Sequence, residues 1–355
     1  MSRAARGPGA AGVSVRVPAT SANLGPGFDA CGLALGLYDD LTVVTTDSGL
    51  SIDVTGEDDG CRDETHLIVR ALRAGLDALG LAPLGLRLTC VNRIPHGRGL
   101  GSSAAAIVAG ILAASALGEG RLSTTDVFAL ACQIEGHPDN VAPALYGGFT
   151  VAWYDDAGCP QVVRTNPPDD LRPVAFVPAR RQATSAARAA LPLNVSHGDA
   201  AANAGRAALL AMAMSGALHR QTVHPTETVH PERVGTEPGD RQEQTVQPDN
   251  SHFSGTRLGN NRLGPVPWVD ALLAATDDRL HQPYRLSSMP ETRDLLSRLR
   301  AAGLAAVLSG SGPTVLVLAV GAEQADAARA CGWDGFTVLD LPVDRHGAQV
   351  ELAAG

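Results

Sequence analysis

Hydrophobic and polar residues alternate along several short segments at the start of this chain, and this alternation predicts strands. Residues 13–17 form the first such segment, and we expect Pro18 to end it. Residues 41–46 and 50–55 predict a hairpin, because Asp47-Ser48-Gly49 between them is a typical turn sequence.

Apolar residues at helical spacing follow, mixed with further strand segments. Gly80 is the expected stop of one helix, and Ser123 is the expected N-cap of another, with Asp126 at the capping-box position. The predicted elements are helices at 65–79, 103–117 and 123–135 and strands at 84–91 and 147–153. Because strands and helices do not alternate strictly, this order favours an α+β fold over a doubly wound sheet.

The composition changes near Pro167-Pro168-Asp169-Asp170, which predicts an N-terminal domain at 13–168 and a C-terminal domain at 169–355. The pattern in the second half resembles a ferredoxin-like unit. Its predicted elements are strands at 173–177 and 336–341, two strands around SGSGPT, helices near 183–190, 198–215 and 291–302, and a helix from Ala322.

Residues 216–265 interrupt this second pattern. They are polar and proline-bearing, with TVHP at Thr222 and again at Thr228, and they contain few aliphatic side chains. We therefore expect a disordered insertion. Four histidines in it could instead bind a metal, although their spacing matches no standard site: His219, His224, His230 and His252.

Composition excludes several classes of function. The chain has 355 residues, 45% of them hydrophobic, and its net charge of −9 argues against nucleic acid or an anionic membrane as the main partner. No apolar run reaches membrane-spanning length, and residues 1–12 predict a disordered tail and not a signal peptide. Six scattered cysteines without a CxxC pair favour free thiols over a disulfide or zinc framework. These features predict a cytoplasmic protein.

The sequence IPHGRGLGSSAAA, at residues 94–106, is the strongest chemical signal. Glycines at 97, 99 and 101 let the backbone turn sharply, and the helix that follows directs free N–H groups toward the same point. Such a loop holds phosphate groups, although a glycine-rich turn capped by a serine is the simpler alternative. The chain contains no lysine, which excludes a Walker A loop and the lysine-dependent protein kinases.

Three further motifs contain candidate ligand residues. PATSANLGPGFD carries Asn23 and Asp29, which either bind a small polar substrate or hydrogen-bond within their own turn. EGHPDN places Glu135, His137 and Asn140 close together. Glu135 could hold Mg²⁺ and the other two could contact a substrate, whereas the alternative is a loop with a capping aspartate. SGSGPT is either a hairpin turn or a second loop near phosphates.

In this order, the motifs resemble those of the GHMP kinase superfamily from about Val13 to Leu341, apart from the insertion. Within the superfamily the chain is most similar to the homoserine kinases, through PATSANLGPGFD, H-x-D-N-x-A-P, Thr184-x-x-x-Arg188 and Asp278-x-x-x-x-x-Tyr284-Arg285. The resemblance implies a two-domain α+β GHMP kinase fold, with an N-terminal ribosomal-protein-S5-like domain and a C-terminal ferredoxin-like domain. It also implies transfer of the γ-phosphoryl group of ATP to L-homoserine in threonine biosynthesis, and a homodimer.

Roles for individual residues follow from the same resemblance. Ser103 and Glu135 would hold Mg²⁺. The implied ATP-binding residues are Pro95, His96, Gly97, Arg98, Gly99, Leu100, Gly101, Ser102, Ser103, Ser309, Gly310, Ser311 and Gly312. The implied substrate-binding residues are Asn23, Asp29, His137, Arg188 and Arg285, and the implied catalytic residues are Asn140, Thr184 and Arg188. Arginines suit the carboxylate of homoserine, and Asp29 with Asn23 suits its ammonium group.

The identity of a general base stays open. Sister kinases have a catalytic aspartate where this chain has Asn140, and an amide cannot accept the proton. We therefore favour catalysis by positioning and charge neutralisation, with Asp139 as the alternative base. Which carboxylate holds Mg²⁺ also stays open, because Glu135 is nearer to Asn140 than the equivalent carboxylate in sister kinases. Two other functions are a mevalonate-type or sugar kinase and a ligand sensor without catalysis.

Overall fold

The computed structural model describes residues 12–82, 85–218 and 267–352, and it confirms the α+β class. The strands of the first half are β1 (Gly12–Ala22), β2 (Cys31–Thr46), β3 (Leu50–Gly56), β4 (Gly85–Asn92), β5 (Phe149–Tyr154) and β6 (Pro160–Thr165). Its helices are α1 (Leu67–Ala78), α2 (Ser102–Leu117), α3 (Thr124–Glu135) and α4 (Pro138–Tyr146). The predicted tail and insertion lie outside the described residues, apart from Gly12 and residues 216–218.

The predicted hairpin between 41–46 and 50–55 is wrong. β4 lies between β2 and β3, and β3 pairs with β4 in parallel. A parallel pair requires a crossover connection, which α1 provides. The turn sequence reverses the chain, but it does not determine which strand becomes the neighbour.

β1 is longer than predicted, because Pro18 does not end it. The register shifts between Pro18 and Ala19, and the strand continues to Ala22. Such an irregularity accommodates a proline, which cannot donate a backbone hydrogen bond. The extension carries Thr20 to a position beside the glycine-rich loop, where the Thr20 N–H donates to the carbonyl of Leu100 at 3.1 Å.

The second half forms a four-stranded antiparallel sheet from β7 (Leu171–Pro178), β8 (Ala306–Leu308), β9 (Val315–Val320) and β10 (Phe336–Asp340). The strand order β10-β7-β9-β8 is ferredoxin-like and confirms that prediction. The helices are α5 (Thr184–Ala189), α6 (His197–Met214), α7 (Trp268–Ala275), α8 (Gln282–Arg285), α9 (Pro290–Ala301) and α10 (Gly321–Ala330). The sequence analysis did not predict α4, α7, α8, β6 or a last strand at Gln349–Leu352, and EGHPDN, which it interpreted as a loop, leads into α4.

The two sheets share a continuous apolar core and a returning strand. β11 (Gln349–Leu352) pairs antiparallel with β1, so the end of the chain joins the first sheet. Buried side chains from α2 in the first half and from α6 and β9 in the second belong to one cluster. The division at residue 168 stays a prediction. No helix in the described part of the chain has the length and apolarity to cross a bilayer.

Candidate active site

A cavity of about 110 Å³ lies where the two halves of the chain meet. Residues from six separate motifs line it, although they are far apart in the sequence. They are Asn23, Asp29, Gly97, Gly99, Gly101, Ser102, Ser103, Glu135, His137, Asp139, Asn140, Thr184, Arg188, Arg285, Gly310 and Ser311. This set includes each residue predicted to bind the acceptor substrate, together with most of those predicted to bind phosphates.

The glycine-rich loop has a backbone conformation that other residues rarely adopt. Gly97, Gly99 and Gly101 have φ of 65°, 79° and 71°. A Cβ at Gly99 would lie 2.2 Å from the Ser309 carbonyl oxygen, and one at Gly101 would lie 1.8 Å from Thr20 Oγ1. Gly101 is the N-cap of α2 and provides no side-chain cap, so the first N–H groups of this helix are available to an anion.

The SGSGPT turn supports this loop from the second half. Ser309 Oγ donates to the Gly99 carbonyl at 2.6 Å, and the Gly310 N–H donates to the carbonyl of Ala22 at 3.1 Å. Ser309 is fully buried and Leu100 is 1% exposed. Both residues therefore hold the loop on the side that faces the protein interior. The Arg98 side chain is directed elsewhere, because it bonds to Glu57 and to two backbone carbonyls at the end of β7.

The predicted metal pair lies at one wall of the cavity. Ser103 Oγ donates to Glu135 Oε2 at 2.6 Å. Burial raises the pKa of Glu135, and the nearby Asp139 raises it further. A hydroxyl and a carboxylate suit Mg²⁺. Among the described residues no group of three or more His, Cys, Asp and Glu could hold a metal.

His137, Asp139 and Asn140 form a connected polar group at the start of α4. His137 Nδ1 lies 2.9 Å from Asp139 Oδ1. Because a carboxylate only accepts, Nδ1 carries the proton, and this hydrogen bond raises the pKa of His137. Asp139 is 2% exposed. The Asn140 amide nitrogen lies 3.5 Å from the same carboxylate oxygen, and its oxygen accepts a hydrogen bond from Thr20 at 2.8 Å.

Two arginines also line the cavity. Arg188 donates two hydrogen bonds to Asp29, at 2.9 and 3.0 Å. Arg285 is only 2% exposed, and its Nη1 donates to the Gly310 carbonyl at 2.9 Å. Its Nε is buried without a hydrogen-bond partner. A buried donor of this kind is unfavourable unless a ligand or a water molecule supplies an acceptor.

Asn23 and Thr184 also line the cavity, and each already has a polar contact with another residue of the protein. Asn23 is 3% exposed, donates to the Gly310 carbonyl at 2.9 Å and accepts from the Asp29 N–H at 2.9 Å. It therefore also fixes the loop after β1. Thr184 Oγ1 lies 3.4 Å from Ser311 Oγ, at the first turn of α5.

The sequence analysis missed a second cavity of about 390 Å³, which adjoins the first through Gly97, Ser102 and Ser103. Its other lining residues come from β2, from the connection between β3 and α1, from the start of α1, from the end of β4 and from α2. Apart from the glycine-rich loop and the start of α2, these segments belong to none of the motifs in the sequence analysis. His96, which the sequence analysis assigned to ATP binding, lines this second cavity.

The sequence analysis also missed the support for Arg285. Its guanidinium lies 5.3 Å from the centroid of the Phe28 ring, and Phe28 stacks on the fully buried His281. Arg285 Nη1 lies 3.3 Å from His281 Nδ1, and His281 Nε2 lies 2.8 Å from the Gly25 carbonyl. Because a guanidinium only donates, His281 accepts on Nδ1 and donates from Nε2. Burial lowers the pKa of His281 and keeps it neutral.

Known proteins resemble this chain in both sequence and fold. Family profiles for the GHMP kinases N terminal domain and the GHMP kinases C terminal match residues 66–148 and 266–332. A homoserine kinase from Streptomyces avermitilis is 48% identical over 346 residues, which cover 96% of each chain. One from Clavibacter michiganensis is 41% identical and covers 96% of this chain and 94% of its own. The crystal structure of a homoserine kinase from Cytophaga hutchinsonii has the same fold, with a TM-score of 0.73 at 24% identity over 98% of this chain and all of its own.

Proposed function

The chain belongs to the homoserine kinase family of the GHMP kinases, and we propose that it transfers the γ-phosphoryl group of ATP to the hydroxyl group of L-homoserine. The product is O-phospho-L-homoserine, on the way to threonine. One observation carries the assignment to this acceptor: two arginines and Asp29 line the same small cavity beside the glycine-rich loop. Together they can bind both charges of an amino acid.

ATP would occupy both cavities. The larger one has room for the nucleoside, and the shared residues at the start of α2 lead from it to the smaller one. The triphosphate would lie along the backbone N–H groups of this loop, which replace the absent lysine. We place Mg²⁺ at Ser103 and Glu135, where it would neutralise charge on the phosphates when bound.

L-homoserine would occupy the smaller cavity. Its carboxylate would bind Arg188 and the free Nε of Arg285, and its ammonium group would bind Asp29. Asp29 and Arg188 are paired with each other, so a zwitterion satisfies both when it separates them. Its hydroxyl would then face Asn140 and Thr184, near the terminal phosphate.

Catalysis by positioning and charge neutralisation fits this arrangement. The Asn140 oxygen is already bonded to Thr20, and an amide is not a base. Asp139 is buried and bonded to His137. We therefore assign the proton to late release onto phosphate or water, and keep Asp139 as the alternative base.

We place the protein in the cytoplasm as a homodimer. All six cysteines are free, which suits a reducing compartment. The dimer rests on family resemblance.

The test is an acceptor panel with purified protein, ATP and Mg²⁺, in which ADP release is followed with L-homoserine, mevalonate, galactose and L-serine. ADP formed only with L-homoserine supports the proposal. ADP with mevalonate or galactose would indicate a different GHMP kinase, and no ADP with any acceptor would favour the ligand sensor.

A further inference from the structure

Thr20 packs against the glycine-rich loop and has no access to solvent. It is fully buried in the extension of β1 beyond Pro18, and its Oγ1 donates to Asn140 Oδ1 at 2.8 Å. A Cβ at Gly101 would lie 1.8 Å from this Oγ1 and 3.1 Å from Asn140 Oδ1. Gly101 therefore packs directly on the Thr20–Asn140 pair.

This hydrogen bond determines which end of the Asn140 amide is available. With its oxygen bonded to Thr20, the amide directs its NH₂ group away from Thr20. The nitrogen lies 3.5 Å from Asp139 Oδ1, and a carboxylate can only accept. If the amide were rotated, its oxygen would face the carboxylate and the two would repel each other.

We propose that Thr20 is a positioning residue for phosphoryl transfer: it holds the Asn140 amide so that an N–H group faces the cavity. The inference rests on the proposed function and adds a role for a residue outside the predicted site. A fixed N–H donor stabilises negative charge on the transferring phosphoryl group, and it requires no reorganisation during the reaction. The same orientation prevents Asn140 from accepting a hydrogen bond from the substrate hydroxyl.

Thr20→Val tests this directly, because it keeps the shape of the side chain and removes the hydroxyl. We expect its kcat to fall by about 10-fold to 100-fold, with KM for ATP and for L-homoserine within about twofold of wild type. Thr20→Ser retains the donor and should keep kcat within about threefold. Thr20→Ala replaces Thr20→Val in the comparison if the valine variant does not fold.

A double-mutant cycle with Asn140→Ala separates positioning from a structural effect. If Thr20 acts through Asn140, Thr20→Val has no further effect on kcat in the Asn140→Ala background. An equal loss in both backgrounds, or wild-type kcat in Thr20→Val, would overturn the inference. Absence of homoserine-dependent activity in the wild-type enzyme would instead refute the proposed function, so the two failures are distinguishable.

Discussion

Arg188 and Asp29 bond through both guanidinium nitrogens and both carboxylate oxygens, at 2.9 and 3.0 Å, although they lie 159 residues apart in the sequence. The pair connects α5 to the loop after β1, and both residues line the candidate site. Each partner is also the counterion that one end of an amino-acid substrate requires.

Arg188→Met should raise KM for L-homoserine by about 100-fold and should also lower kcat, because the substrate carboxylate loses a charge-assisted contact. Arg188→Lys should recover only part of the loss, since an ammonium cannot form the bidentate pair. Steady-state kinetics measure both. Arg293→Met is the matched control, because Arg293 pairs with Asp294 on α9 and its side chain is 52% exposed, against 46% for Arg188. A wild-type KM in Arg188→Met would contradict the assignment.

Arg285→Met should reduce the enzyme's preference for an acceptor that carries a carboxylate. The wild-type enzyme should prefer L-homoserine over 3-aminopropan-1-ol, which lacks the carboxylate, by at least about 100-fold in kcat/KM. The variant should show a much smaller preference, because the buried guanidinium that distinguishes the two acceptors is gone. An unchanged preference would mean that Arg285 supports the fold and does not bind the carboxylate.

Glu135 should make the Mg²⁺ requirement dependent on pH. Its pKa is raised by burial, so the carboxyl group becomes protonated at a higher pH than the ordinary value of about 4.3. The Mg²⁺ concentration for half-maximal activity should therefore rise as pH falls through that raised pKa. Glu135→Gln should raise this concentration at every pH and remove the trend, whereas Glu323→Gln on the exposed start of α10 should leave both unchanged. A wild-type Mg²⁺ requirement in Glu135→Gln would place the metal elsewhere.

Asp139→Asn should lower kcat by no more than about 10-fold if no general base operates. A loss of about 1,000-fold or more with unchanged substrate affinity would identify Asp139 as the base.

The pH dependence of the free energy of unfolding gives a second, independent measurement on Asp139→Asn. The pKa of His137 is raised in the folded protein by its bond to Asp139. The pair therefore stabilises the fold fully below the unfolded value of about 6.5, and this contribution is lost as pH rises through the raised pKa. Asp139→Asn should be less stable than wild type at pH 6, and the difference should shrink at pH 9. A difference independent of pH would exclude this linkage.

Gly101→Ala should weaken ATP binding more than 10-fold and lower Tm, because the new Cβ has no space beside Thr20. Gly303→Ala controls for backbone strain alone: its φ is 78°, close to the 71° of Gly101, but nothing lies within 4 Å of its Cβ position. Isothermal titration and thermal unfolding compare the two. Equal effects would mean that strain, and not the close approach of the loop to Thr20, explains the need for glycine.

The sequence analysis predicted features that depend on residues close together in the sequence. The capping box of Ser123 and Asp126 forms as expected, and the hairpin around SGSGPT forms where two apolar segments flank flexible residues. The glycine-rich loop, Glu135 and the two arginines also line one cavity.

Features that depend on non-local packing were not predictable. No spacing rule could place β4 between β2 and β3. The turn at 47–49 is compatible with β3 directly beside β2 and also with a third strand between them. The support of Arg285 by Phe28 and His281 joins segments more than 250 residues apart, and Thr20 was hidden in a strand that Pro18 was expected to end. These contacts depend on which surfaces become buried together, which the local pattern does not encode.

The most direct test of the account identifies the product formed from ATP, Mg²⁺ and L-homoserine by ³¹P NMR, alongside the ADP released. The account predicts O-phospho-L-homoserine and ADP in equal amounts. ADP with free phosphate and no phosphorylated homoserine would contradict it.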